Sequence, residues 1–225
     1  MKIVVQLILM IPILCLHAQQ IKTTQDVGAW MGATLKYDLT KDLDLSLSQD
    51  IRFQESLSEL DKYISEIGLS YKINKEFRIG GELRYYINQK RDETQSQNWR
   101  YNLDFKYRTK LIKHLKFRYR LRHQTAYENL FTAQPNKGES KSAIRNRVGL
   151  FYKLKNHHEL YFTTEIFRTI LYYRKPYFSE LRFVVGDEIE TKYGQFDLSF
   201  GYERELNSLY PLHFMFTRVY YTFKL

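Results

Sequence analysis

The residues best placed to do chemistry are charged and spaced by two. Lys106 and Arg108, then Lys116, Arg118, Arg120 and Arg122, then Arg145 and Arg147, fall in three consecutive segments. On an extended chain, side chains two apart point to the same face. The three runs therefore build one basic wall. A later sector is acidic, with Glu159, Glu165, Glu180, Glu188, Glu190 and Asp197, and Asp44, Asp50, Glu66 and Glu82 are scattered earlier. Two walls of opposite sign around an enclosed space either set the ion preference of a pore or pair across it and plug it. The expected lining comprises Lys106, Arg108, Lys116, Arg118, Arg120, Arg122, Arg145, Arg147, Glu159 and Glu165. In it, Arg118, Arg120, Arg122, Arg145 and Arg147 face the two glutamates.

Other chemistry has less to stand on. A lipid-ester hydrolase needs a serine, a histidine and a carboxylate or amide in one constellation. His114 and the pair His157-His158 sit in short turns, His213 opens the last segment, and His17 lies in the amino-terminal apolar run. His123 alone is mid-segment, with the apolar set, and no serine stands at a suggestive spacing from it. His157, His158 and Glu159 do not make a metal site, because neighbours on a strand point to opposite faces. Gly80-Gly81 has no helix after it and so forms no phosphate loop. The single cysteine, Cys15, falls in the apolar run, which leaves no thiolate or disulfide chemistry in the rest of the chain. The expectation is no catalytic residues, no metal and no cofactor.

The elements that carry these side chains are strands. Leu43, Leu45, Leu47, Ile51 and Phe53 alternate with Asp44, Ser46, Ser48, Asp50 and Arg52, and the same period of two recurs through Trp99 to Arg108 and Leu115 to Arg122. Strands are expected near 27–39, 43–54, 62–73, 77–89, 98–111, 114–128, 142–154, 158–169, 178–190, 194–205 and 212–225. Brief connections around 40–42, 74–76, 112–113 and 155–157 alternate with longer polar ones around 55–61, 90–97, 129–141, 170–177 and 206–211. Pro135, Pro176 and Pro211 fall in those loops or at a strand edge, where a missing N–H does no harm. Bacterial single-chain barrels have an even strand number. The pattern is thus read as an all-β, antiparallel up-and-down barrel of 12 strands, with ten as the fallback, and with the missed strand sought near 19–39 or 166–180.

The first residues have a different character. Met1-Lys2 followed by an apolar run from Ile3 to Leu16, and Ala18 before Gln19, form a signal peptide over 1–18. Residues 19–225 are then one exported domain. The formal charge of +10 drops by one on removal of Lys2, to +9. Such a charge bears on solubility and on anionic partners rather than on fold. Export and inward-facing arginines argue against a nucleic-acid partner.

Alternation does not by itself say which face is outside. Ten to twelve strands with an apolar interior would leave a wide space to fill, whereas an apolar exterior in lipid needs no filling. Segments of ten or more residues also suit a tilted crossing of a hydrocarbon core. Val219, Tyr221, Phe223 and Leu225 end the chain as an apolar, aromatic strand of the kind read by the outer-membrane assembly machinery, with Leu in the final place as a departure. The expected location is the cell outer membrane, with short periplasmic turns and longer extracellular loops. The expected partners are outer-membrane lipid and lipopolysaccharide, the assembly machinery and a small anionic solute. The functional expectation is a narrow charged-lumen channel or a closed structural or binding barrel. A lipid-modifying outer-membrane hydrolase and a soluble periplasmic ligand-binding barrel are the alternatives.

Four strings carry a family likeness: Gln25-Asp26-Val27-Gly28-Ala29-Trp30, Gln49-Asp50-Ile51-Arg52-Phe53, Ser65 to Lys75, and Gly81-Glu82-Leu83-Arg84-Tyr85-Tyr86. With these, nearly the whole exported chain resembles the uncharacterised outer-membrane proteins catalogued as domain of unknown function 2490, frequent in Bacteroidetes. The resemblance implies the location and the architecture, and it brings no activity and no catalytic residues.

Overall fold

The computed structural model describes residues 24–89, 95–128, 140–154 and 157–225. The expected signal peptide over 1–18 and Gln19 lie outside the described residues, as does most of the 129–141 loop with Pro135. Eleven strands follow one another: β1 Thr24–Asp38, β2 Leu43–Gln54, β3 Glu59–Lys72, β4 Phe77–Gln89, β5 Gln95–Ile112, β6 Leu115–Glu128, β7 Lys141–Lys153, β8 His158–Leu171, β9 Arg174–Glu190, β10 Gly194–Glu205 and β11 Leu212–Lys224. They close into a barrel in sequence order, each strand antiparallel to the next. Among the described residues no helix is long and apolar enough to cross a membrane, which leaves open crossing by strands.

The strand number corrects the expectation of twelve and the fallback of ten. An even strand number follows only where the closing pair is antiparallel. Instead β1 and β11 run parallel, in register from Thr24 opposite Leu212 to Lys36 opposite Lys224, and a parallel seam closes an odd number of antiparallel strands. The two stretches suspected of hiding a strand are accounted for otherwise. Residues 24–38 are one unbroken strand, and 166–180 is the end of β8 and the start of β9.

That second stretch also shrinks an expected loop. The connection placed at 170–177 is only Tyr172-Tyr173, because β9 already begins at Arg174. Pairing slips between Thr169 and Leu171, so that Thr169 faces Tyr177 and Leu171 faces Arg174. Pro176 falls inside this irregular stretch, where a residue with no N–H can sit in a strand.

Local chemistry fixes the turns. At the β3–β4 turn the Asn74 side-chain oxygen accepts from the N–H groups of Glu76 and Phe77, at 2.8 and 2.9 Å. At the β1–β2 turn Thr40 Oγ1 accepts from the Leu43 N–H at 3.0 Å. The β2–β3 turn at the other end is more costly, with Glu55, Ser56 and Leu57 all left-handed at φ 52, 54 and 73°. Asp26 of β1 holds it, its carboxylate accepting from the N–H groups of Glu55 and Ser56 at 3.1 Å each.

The two faces of the barrel differ as alternation demands. Leu47, Ile67, Leu83, Leu103, Leu150, Phe162, Val185 and Phe200 point outward, with Leu103 58 % exposed and Val185 56 %. Outward rings gather near the two rims: Tyr37, Tyr71 and Tyr152 at the short-turn end, and Tyr63 and Tyr101, with Trp99 against Tyr85, at the other. Inward residues are largely polar and charged, and at mid-height they are buried.

Candidate functional site

The inward face is ordered by strand register. Lys106, Arg120, Arg147, Glu165, Arg182 and Glu203 are successive cross-strand partners from β5 to β10. One level toward the long-loop end, Asp104, Arg122 and Arg145 face one another in the same manner. The pleat therefore stacks charges in layers, and the ion pairs form within and between those layers.

Glu165 is the hub. Its carboxylate, almost wholly buried, accepts from Arg120 at 2.7 Å and from Arg145 at 2.9 and 3.1 Å, with Arg182 3.7 Å away. Arg182 also pairs with Glu203. Arg122 donates twice to Asp104, at 2.6 and 2.7 Å, and once to Glu82 at 2.7 Å. Nearer the short turns, Glu159 takes Lys116 at 2.5 Å together with Arg118, and Arg118 also reaches Glu188 at 3.0 Å. Such charge-assisted bonds are the strong class of hydrogen bond, and buried carboxylates survive only with this kind of pairing.

Each residue of the expected lining can thus be placed. Lys106, Lys116, Arg118, Arg120, Arg122, Arg145, Arg147, Glu159 and Glu165 are on the inward face, and Arg108 is at the short-turn rim, its Nε donating to the Lys75 carbonyl at 3.0 Å. Arg118 is paired with Glu159, and Arg120 and Arg145 with Glu165. Arg122 turns instead to Asp104 and Glu82. Among the described residues Arg147 has no ion pair or hydrogen bond, although it lies cross-strand from Glu165, whose oxygens are taken by other arginines. His123 points outward, cross-strand from Leu103 and Ile144, with its ring 6.1 Å from that of Tyr101. His158 bonds Asp187 at 2.5 Å, and Glu159 points into the lumen beside Lys116.

Opposite the charges stands an aromatic wall. Trp30 stacks on Phe216 with centroids 3.9 Å apart and planes 11° from parallel, and Phe214 flanks both. Phe216 is completely buried. Guanidinium groups lie over inward rings on both sides: Arg52 4.2 Å from the Trp30 centroid and Arg182 5.2 Å from it, and, among the charges of β7 and β8, Arg118 3.6 Å from Phe151 and Arg145 4.2 Å from Phe167. Space for the rings comes from glycines on the same face. A Cβ on Gly201 would stand 2.1 Å from the Phe216 ring, and one on Gly186 2.6 Å from Tyr161.

Two inward cavities stand out among the described residues. A vestibule of about 540 Å³ toward the short turns is lined by Arg78, Lys106, Arg108, Lys116 and Arg118 on one side and Glu159, Glu188, Glu190 and Asp197 on the other. At mid-height a cage of about 130 Å³ is lined by Arg52, Arg120, Arg122, Arg145, Arg147, Arg182 and Arg218, with Glu165 its one carboxylate and Trp30, Thr163, Val184 and Tyr220 completing the wall. Arg120, Arg147, Thr163 and Arg218 line both spaces.

The aromatic wall is what the sequence reading missed. Period-two reasoning assigns apolar residues to one face, yet Phe214-Met215-Phe216 and Tyr220-Tyr221 carry bulky apolar residues at both parities. That double occupancy was the available signal. Arg52, Arg182 and Arg218 escape the sequence reading as site residues because none has a basic neighbour two residues away.

Comparison with solved structures finds a partial likeness. The β domain of the Bordetella autotransporter BrkA aligns at 11 % identity and a TM-score of 0.40, covering 76 % of this chain and 79 % of that one. No curated protein matches. The family model described as Protein of unknown function (DUF2490) matches residues 27–209, and the chain belongs to that family.

Proposed function

We propose that the protein is an outer-membrane β-barrel whose lumen is closed at mid-height, a binding barrel that opens as a vestibule rather than an open pore. The observation that carries the membrane reading is the reversal of faces, with exposed leucines, valines and phenylalanines outside and buried arginines and carboxylates inside. In water an apolar exterior of this extent is a liability, and in lipid it is the requirement. Strands of 12 to 18 residues exceed the 9 to 11 or so that a tilted crossing needs. Rims rich in Tyr and Trp resemble the aromatic girdles of outer-membrane barrels. A soluble ligand-binding barrel would need the opposite distribution.

Closure rests on the middle layer. Phe216, Asn102, Glu165, Val184 and Ile64 are at most 4 % exposed, so among the described residues the packed side chains narrow the lumen at that height to the small arginine cage. The charges act as a wall that pairs with itself, and they present an anion-attracting surface to whatever enters the vestibule.

The test is expression of the full-length chain, isolation of outer membranes, and gel migration with and without boiling. A band in the membrane fraction that runs faster unheated is the expected result. A soluble product with no heat-dependent shift would overturn the membrane assignment.

A further inference from the structure

We propose that the mid-height arginine cage is a binding site for a tetrahedral oxyanion of phosphate type, with Arg147 as its principal ligand. This builds on the closed-barrel reading by naming what the closed lumen holds.

The charges around the cage do not balance. Its lining offers seven guanidinium groups and a single carboxylate. Most of the cations find partners outside the cage or share that carboxylate. Arg122 is held by Asp104 and Glu82, Arg182 by Glu203, and Arg218 lies 3.6 Å from Asp197 while donating to Tyr161 and Ser199. Glu165 is consumed by Arg120 and Arg145. Arg147, cross-strand from Glu165, is left without a hydrogen bond or close ion pair among the described residues, and Arg52 meets Asp50 only at 3.8 Å. In addition, Arg52 Nε and Arg120 Nε are buried without a hydrogen-bond partner. A guanidinium N–H left without an acceptor in a largely desolvated space is costly. Several such donors converging on one space describe an anion's binding shell.

The geometry of the donors narrows the ligand. Guanidinium groups present forked N–H pairs that suit the multiple oxygens of phosphate or sulfate, arriving from several directions at once. A halide offers no second acceptor atom for a fork. The cage volume of about 130 Å³ corresponds to roughly four waters at about 30 Å³ each, enough for a five-atom oxyanion and too little for a nucleoside or sugar. The vestibule supplies the missing room. Because Arg120, Arg147, Thr163 and Arg218 line both spaces, a phosphomonoester can set its phosphate in the cage and its organic part in the vestibule. Lys106, Lys116 and Arg118 lie along that approach and favour an incoming anion.

The experiment uses the full-length protein purified in detergent from phosphate- and sulfate-free buffer. Calorimetric titrations with inorganic phosphate, glycerol 3-phosphate and sodium chloride are made at matched ionic strength. The expected result is saturable one-to-one binding of phosphate, none of chloride, and at least a tenfold loss of affinity in Arg147→Gln. Tighter binding of glycerol 3-phosphate than of phosphate would assign the vestibule to the ester's organic part. Equal affinity would mark free phosphate as the ligand. Should Arg147→Gln lack the fast-migrating unheated band, Arg147→Lys, which keeps the charge and loses the fork, is read instead, with a weaker but definite loss expected. No saturable binding by a protein that still shows the heat-dependent band overturns the oxyanion site while leaving the barrel intact. Unchanged affinity in a folded Arg147 variant does the same. Loss of the band in the wild type instead strikes at the barrel reading.

Discussion

The lumen has two unlike walls. From β5 to β9 it is mainly a lattice of arginines and carboxylates with Phe151, Tyr161 and Phe167 set among them, whereas across β11 and β1 it is largely Trp30, Phe214, Phe216 and Tyr220, with Arg52 of β2 laid over the tryptophan. Each wall alone would be unsatisfactory. Buried cations need more than the available carboxylates, and aromatic rings facing an empty lumen would be left to water. Set against one another, the rings give the guanidinium groups a π-face and the guanidinium groups cover the rings. The lesson is that unlike surfaces can satisfy one another inside a narrow barrel.

The comparison is broken most severely at its hub. Glu165→Gln removes the shared partner of Arg120 and Arg145 and weakens the hold on Arg182. A cost of about 3 to 5 kcal/mol is expected, the range for removing one partner of a buried pair, read as a lower midpoint in urea unfolding from micelles. On the aromatic side Phe216→Ala leaves a void under Trp30. The expected cost is about 3 kcal/mol or more, with near-ultraviolet circular dichroism of the tryptophan diminished in parallel. The outer surface provides a contrast, since Leu103→Arg touches neither wall and meets the hydrocarbon instead. A loss of about 2 to 4 kcal/mol is expected in lipid vesicles, as for a cation at the midplane of a barrel, and much less in a form that is not membrane-embedded. The smallest effect belongs to Lys116→Gln, because Glu159 keeps Arg118 and the site is partly open to solvent. A change of about 1 kcal/mol or less is expected in the same urea titration.

The outer face was legible because the pleat imposes one rule on it: every second residue is apolar from Trp99 to Tyr107, and from Leu43 to Phe53 with Gln49 the one exception. Eleven strand positions followed from that rule and from the turn residues. The seam did not, because a parallel β1–β11 pair leaves no mark on alternation within either strand. Nor did the loop at Tyr172-Tyr173, where a bulge lets Pro176 lie within a strand that its presence seemed to forbid. In the lumen, residue type gave the charged lining, but pairing depends on which strands become neighbours and how far each is staggered. Arg122 illustrates the point. It sits two residues from Arg120, yet its partners are Asp104 and Glu82 on preceding strands, while Arg120 reaches forward to Glu165.

The central claim is a membrane-embedded barrel closed at mid-height by its own side chains. Planar-bilayer recording of the purified, heat-shifting protein addresses it most directly. The account predicts insertion without a steady conductance in the wild type, and conductance steps appearing in the Phe216→Ala, Glu165→Gln double variant. A stable ohmic channel in the wild type would contradict it.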